Sequence, residues 1–150
     1  MKKYLLITLL CAVGADVCAK EADGLVNYPS NHSVDETFSR IEKILEKKGF
    51  NIFASINHSE NASRVGIEMK GSRLLIFGNP KIGSQLMKCN PTIAIDLPQK
   101  ALVWQDSNDK VWLSVNSPEY LKNRHALSGC DKFIVKIKSV LKKISTEATH

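Results

Sequence analysis

The chain predicts an α+β domain, an antiparallel sheet with helices packed on one face. Three observations carry this. A strongly amphipathic helical stripe lies early in the chain, and the apolar runs after it are short and often alternating. Those runs come in groups, with helices set between the groups, unlike the strict strand–helix alternation of a parallel sheet. The predicted order is β-α-β-β-β-α-β-β-β-α-α.

Gly24 to Tyr28 predicts a first strand, stopped by Pro29-Ser30-Asn31. Ser33 and Glu36 form a capping box, whose side chains satisfy donors that a helix start leaves open. Val34, Phe38, Ile41 and Leu45 then fall on one side of the helix. Asp35 and Glu36 stand at its positive end and Lys47 and Lys48 at its negative end, and Gly49 supplies the stop. Phe50, Ile52, Ala54 and Ile56 alternate with Asn51, Phe53, Ser55 and Asn57, the period of a half-buried strand. Extending that alternation puts His58 on the apolar face. Ser59 to Arg64 is polar, a loop or one helical turn; Val65 to Met69 reads as another strand, and Leu74 to Phe77 as a central one.

Gly78-Asn79-Pro80 ends that strand. Asn79 suits a cap and Pro80 the first helical position, so Lys81 to Lys88 predicts a short helix, broken at Asn90-Pro91. Three strands follow, Thr92 to Leu97, Ala101 to Gln105 and Val111 to Val115, the last two a hairpin about Ser107-Asn108-Asp109. Trp104 and Trp112 on that hairpin suggest a cross-strand pair; if their faces differ, one lines a pocket or an interface. Ser117-Pro118-Glu119 opens a helix to about Arg124. Phe133, Ile137, Val140, Leu141 and Ile144 share one side of a terminal helix, with Lys132, Lys136, Lys142 and Lys143 around the rest.

The N-terminus sets the expected compartment. Lys2 and Lys3, the uncharged run Tyr4 to Val13 and the small residues Val17 and Ala19 form an export signal cleaved before Lys20, with Val13 and Ala15 marking a second site. The run is about half of the roughly twenty residues a membrane-spanning helix needs. Leu10 and Val17 precede Cys11 and Cys18, which argues against a lipid anchor. The Met-Lys-Lys start reads as bacterial, so the three Asn-x-Ser sequons are set aside. The expected organisation is a signal at 1–19, a single domain at 20–128, and a basic helix and tail at 129–150 packed on it or extending it. The expected location is periplasmic or secreted.

Cleavage leaves 21 less 2 basic and 15 less 1 acidic residues, a net charge of +5. That is short of the dense Lys/Arg stripe nucleic-acid binding needs, so no nucleic-acid partner is expected. No other segment is apolar enough to span a membrane. Cys89 and Cys130 remain, an even pair that suggests a disulfide in an oxidising compartment. Closing their 41-residue loop (130 − 89) contributes about 4 kcal/mol on the chain-entropy account. Two buried free thiols are the alternative.

No G-x-S-x-G, H-E-x-x-H, C-x-x-C, Walker loop or G-x-G-x-x-G is present, and no motif implies a cofactor. The most distinctive segment is Phe77 to Gly83, where a strand turns sharply into a helix start. Gly78, Asn79, Pro80 and Lys81 form a candidate ligand site, because free backbone N–H groups at a helix start hold anions; plain cap chemistry is the alternative. His58 and His125 are the candidate ligands or general bases, with no second metal ligand at the usual spacing in sequence. Asp96, on the strand face away from Ile93 and Ile95, is a candidate partner for Lys81, Arg124 or a histidine.

Ile76-Phe-Gly-Asn-Pro-Lys-Ile-Gly-Ser-Gln-Leu-Met87, Ile95-Asp-Leu-Pro98, Leu102-Val-Trp-Gln-Asp106 and Pro118-Glu-Tyr-Leu-Lys-Asn-Arg-His125 together resemble the domain of unknown function family numbered 302, over residues 24–128. The resemblance implies a compact α+β fold like that of the TATA-binding protein, a curved antiparallel sheet with two main helices, and a homodimer. It implies no reaction. His58, Asn79, Pro80, Asp96, Pro98 and His125 match motif positions, and Gln99 stands where many relatives have cysteine. The terminal helix lies outside the resemblance.

Three readings of function follow. The first is an exported, dimeric envelope protein that binds a small ligand, a metal or haem without catalysis. A second is a protein-interaction module with no small-molecule site. A third is a small hydrolytic or redox enzyme using His58 or His125 as base, oriented by Asp96.

Overall fold

A computed structural model describes residues 21–22 and 24–150; the export signal read in residues 1–19 lies outside the described residues. The elements run β1 (Glu21–Ala22), β2 (Leu25–Pro29), α1 (Val34–Lys47), β3 (Asn51–Asn57), α2 (His58–Ser63) and β4 (Ser72–Gly78). Then come α3 (Pro80–Cys89), a 3-10 turn (Pro91–Ile95), β5 (Gln99–Gln105), β6 (Val111–Asn116), α4 (Pro118–Arg124) and α5 (Asp131–Thr149). The strands form one antiparallel sheet in the order β1-β2-β6-β5-β4-β3. The α+β antiparallel class is the one predicted.

That strand order dictates the path of α1. It joins β2 to β3, which lie toward opposite edges of the sheet, so it must cross the sheet face. β3 to β6 then return as a meander to pair with β2. The helix forms where its sequence says: the Ser33 hydroxyl accepts the Glu36 N–H at 3.2 Å, and Gly49 takes φ +74° beyond its end.

Phe38, Ile41 and Leu45 of α1 are fully buried against Leu75, Phe77, Val103 and Leu113 of the sheet. Leu141, Ile144 and Ala148 of α5 complete this core, so the terminal helix is half of the helical layer. Arg40 of α1 donates to the carbonyls of Ala148 and Glu147, both at 3.0 Å, satisfying acceptors that the end of α5 leaves open. A second, smaller core gathers Leu86, Ile93, Leu127, Cys130 and Ile134 around α3, the 3-10 turn and the start of α5. Ile137 packs against both cores.

Four local expectations need correction. Thr92 to Leu97 is no strand: Pro91 opens a 3-10 turn, the Asn90 side chain accepts the Thr92 N–H at 3.0 Å, and the Leu97–Pro98 peptide is cis. Asp96 therefore ends that turn, and β5 begins at Gln99. Val65 to Met69 joins no ladder: Val65 and Gly66 continue the turn that closes α2, and the rest is loop. His58 is the first residue of α2 and exposed, because the Asn57 side chain caps a helix there by accepting the Glu60 N–H at 3.1 Å. Finally, β3 shifts register at Phe53: Ile52 pairs with Phe77 on the helix-covered face, while Ala54 and Ile56 pair with Ile76 and Leu74 on the other. The alternation is real, but one unpaired residue reverses its phase.

On the β5–β6 hairpin Trp104 and Trp112 sit directly opposite and stack at 6.5 Å on the face away from α1 and α5. Trp104 Nε1–H donates to the Ser114 hydroxyl and Trp112 Nε1–H to Asp106 Oδ2, both at 2.8 Å. Asp106 Oδ1 also accepts the backbone N–H groups of Asn108 and Lys110. The Trp112 indole, helped by those amides and opposed by desolvation, holds the Asp106 carboxyl below its ordinary value of 3.8.

The folded state thus resists protonating Asp106 more than the unfolded chain does. Its contribution to stability is complete above the unfolded value and is lost as pH falls through the depressed folded one. Thermal unfolding followed by tryptophan fluorescence from about pH 5 to about pH 2 should show a steep fall in midpoint that Asp106→Asn makes shallower. Asp131, held low by its bond to Lys122, keeps part of the slope in that variant. In the main core, Phe38→Ala should cost about 3–5 kcal/mol in urea unfolding at neutral pH, because a void opens beneath α1 where the sheet cannot collapse.

Candidate functional site

The two cores do not close completely on one another. Between them lies an open cavity of about 620 Å³, within the range of small-molecule sites. Phe77 and Leu141 of the larger core and Leu86 of the smaller one line it, with Ile137 between them. The register shift in β3 adds Phe53, which is 53% exposed and reaches toward Gly78. Gly78, Asn79, Pro80 and Lys81 all line this cavity, whereas His58 and His125 do not.

The turn into α3 is built as its sequence suggests, and that construction removes the expected backbone anion site. Pro80 has no N–H. Asn79 Oδ1 accepts the Lys81 N–H at 3.0 Å, and the Asn79 carbonyl accepts those of Ile82 and Gly83 at 3.0 and 2.9 Å. Cap chemistry consumes the first-turn donors, so any negative charge must be met by side chains. Lys48, Lys81 and Lys136 supply three cations around the cavity. Lys48 is paired with Glu147 at 3.1 Å, while Lys81 and Lys136 have no ion pair among the described residues.

One polar residue of the lining is buried. Gln99, opposite Phe77 in the β4–β5 ladder, shares the helix-covered face with Ala101 and Val103. It is 8% exposed, lines the cavity, and its Oε1 has no hydrogen-bond partner. A buried amide oxygen left unpaired costs about 1–3 kcal/mol, and this one is also closed off from solvent.

His125 and Asp96 meet elsewhere. His125 Nε2 lies 2.6 Å from Asp96 Oδ2, and Nδ1 lies 2.9 Å from the Thr92 hydroxyl. Arg124 reaches Asp96 Oδ1 at 3.4 Å, so the partners of Asp96 are His125 and Arg124 and not Lys81. The order hydroxyl–imidazole–carboxylate has the form of a nucleophilic triad. Its setting is that of a brace: His125 is 6% exposed, and the Thr92 hydroxyl also bonds Asn90 Oδ1 at 2.9 Å. The Asn90 amide in turn donates to the His125 carbonyl at 2.7 Å. These bonds tie the 3-10 turn to the end of α4, beside a disulfide between Cys89 and Cys130 whose Cα atoms are 6.5 Å apart.

His58 lies at the end of β3 that pairs with Arg73, whereas Gly78 is at the far end of β4. The two histidines are therefore not brought together. Among the described residues no group of three or more His, Cys, Asp or Glu side chains is placed to hold a metal ion. His125→Ala should lower stability by about 2–4 kcal/mol by stranding Asp96 and Thr92, while leaving the cavity's capacity to bind an apolar dye intact. Urea unfolding and a dye titration of the same preparation measure both.

Much of the cavity was not legible in the sequence. Phe53 gave a signal, an aromatic ring on the polar phase of a strand. Gln99 gave one only as a departure from the resembled motif. Lys48 and Lys136 look like ordinary solvated lysines until α1 and α5 are folded together.

The family described as "Domain of unknown function DUF302" matches residues 26–144, which takes in most of α5, a helix placed outside the resemblance by its sequence alone. A crystal structure of an uncharacterized conserved DUF302 protein from Bacillus stearothermophilus is similar over 85% of this chain and 99% of its own, with a TM-score of 0.76 and 19% identity, a likeness of fold. Curated relatives include proteins named fluoride-specific ion channel FluC 1, from Brucella suis biovar 1, and FluC 2, from Brucella melitensis biotype 1. Each is 43% identical over 104 residues, 69% of this chain, but those residues make up only 41% and 38% of the two relatives. No helix among the described residues is long and apolar enough to cross a membrane. By the extent of the match and the shared architecture, the chain belongs to the DUF302 family.

Proposed function

We propose that this protein binds, without catalysis, a small and largely apolar molecule in the cavity between its two cores, and does so as an exported homodimer of the cell envelope. The observation that carries the reading is the cavity itself. It is preformed, predominantly apolar, and lined by the Gly78 to Lys81 turn that the sequence marks as distinctive. A core this size has enough side chain to close such a gap, and protein interiors are normally close-packed. The Thr92–His125–Asp96 array supports catalysis less, since its atoms are engaged with one another away from the cavity.

Export is supported by the signal pattern in residues 1–19. In the Brucella relatives the matched segment is about two fifths of proteins named as ion channels, which favours a place near a membrane for this domain too. Dimerisation is supported by apolar surface that the helices leave uncovered. Leu74, Ile76, Leu102 and the stacked tryptophans are half-buried on the sheet face away from α1 and α5, and Val65, Ile67 and Met69 are exposed on the segment before β4. Surface of that kind marks a contact site.

Titration of the purified mature protein with N-phenyl-1-naphthylamine, an uncharged dye bright only in apolar surroundings, tests the site. Saturable binding is expected, and Gly83→Phe should abolish it. Gly83 sits in α3 with ordinary backbone, and a Cβ there would lie 3.9 Å from Leu97, so a side chain is tolerated and enters the cavity. Dye binding that survives in a folded Gly83→Phe protein would sink the reading. Native mass of the same sample should be twice that of the mature chain; a monomer rejects the dimer.

A further inference from the structure

Resting on that reading of the cavity, we infer that the bridge between Cys89 and Cys130 is a redox latch on it. The disulfide form holds the cavity ready for its ligand, and reduction by a dithiol weakens binding. The placement of the bridge carries this. It joins the last residue of α3 to the residue just before α5. Both helices line the cavity, α3 through Ile82, Leu86 and Met87 and α5 through Ile137, Val140 and Leu141.

Of the two walls, α5 is the better held. It enters the main core through Leu141, Ile144 and Ala148, and its ion pairs reach Lys48, Glu119 and Lys122. Helix α3 has one buried residue, Leu86, and among the described residues no ion pair joins it to α5. Its position beside the cavity therefore depends on the bridge. When the bridge is cut, the Asn90 amide still donates to the His125 carbonyl at 2.7 Å, and Leu86, Ile93, Leu127 and Ile134 still pack together. Reduction loosens one wall and leaves the fold standing. A loose wall must be ordered when the ligand enters, which weakens binding; the bridged wall is ordered already.

The bond is open to exchange from one side. Cys89 is exposed while Cys130 is 1% exposed, so an attacking thiolate reaches the Cys89 sulfur. A new sulfur–sulfur bond forms there, the Cys89–Cys130 bond breaks, and Cys130 leaves as a thiolate that takes up a proton. The second thiol of the reductant then displaces Cys89. The dithiol ends as a disulfide, and the protein gains two electrons and two protons.

The test titrates the full mature protein with N-phenyl-1-naphthylamine before anaerobic reduction by dithiothreitol, after it, and after reoxidation. Alkylation and mass report the thiols in each state, and far-ultraviolet circular dichroism reports the fold. Reduced protein should stay folded and bind the dye roughly three- to tenfold more weakly, and reoxidation should restore the affinity. Cys89→Ser with Cys130→Ala should bind as the reduced form does and ignore dithiothreitol. Equal affinity in the two states overturns the inference. So does reduced protein that unfolds, because the bridge is then a staple for the fold alone. Free thiols before reduction, or a bridge that dithiothreitol leaves intact in the folded protein, overturn it as well. If the bridged protein does not bind the dye, the reading of the cavity has failed before the bridge is cut.

Discussion

The architecture depends on α5 packing against two separate hydrophobic cores. Through Leu141, Ile144 and Ala148 it completes the layer that α1 begins over the sheet. Nearer its start, Ile134 and the Cys130 bridge to Cys89 hold it against α3 and the 3-10 turn. Ile137 belongs to both contacts. Between those two contacts, Lys136, Ile137, Val140 and Leu141 of the same helix line the cavity.

The protein buries polar groups in two contrasting ways. Around His125 nearly every donor meets an acceptor, and the network fixes the 3-10 turn against the end of α4. At Gln99 the amide oxygen is buried without a partner in an otherwise apolar wall. Satisfied networks hold a fold in one arrangement, whereas a lone unsatisfied group is a place where stability is given up. That satisfaction is why the more enzyme-like array reads as a brace.

Kinship supports the fold and leaves chemistry open. The family match spans nearly the whole described chain, and the Bacillus stearothermophilus structure shares the architecture at low identity. The Brucella relatives carry more than twice the matched length, and their channel name belongs to those proteins as wholes. What this domain contributes is therefore argued from its own cavity and surface.

Local rules made α1, the α3 and α4 starts and the tryptophan hairpin legible, because caps, stops and periodicity act over a few residues and here agree with the tertiary demand. Thr92 to Leu97 misled, since an apolar alternation of that length fits a strand equally well until Asn90 and Pro91 are seen to start a turn. Phe53 misled more subtly, because a register shift depends on the partner strand. The site divides the same way. The sequence by itself determined the Asn79-Pro80 turn, the pairing-capable cysteines and the absence of a catalytic motif. Only the tertiary structure decided that the turn's backbone donors are spent, that His58 and His125 stand apart, and that Gln99 is buried in the wall of a cavity it shares with three lysines. Those outcomes depend on contacts between residues far apart in the chain, which local spacing does not encode.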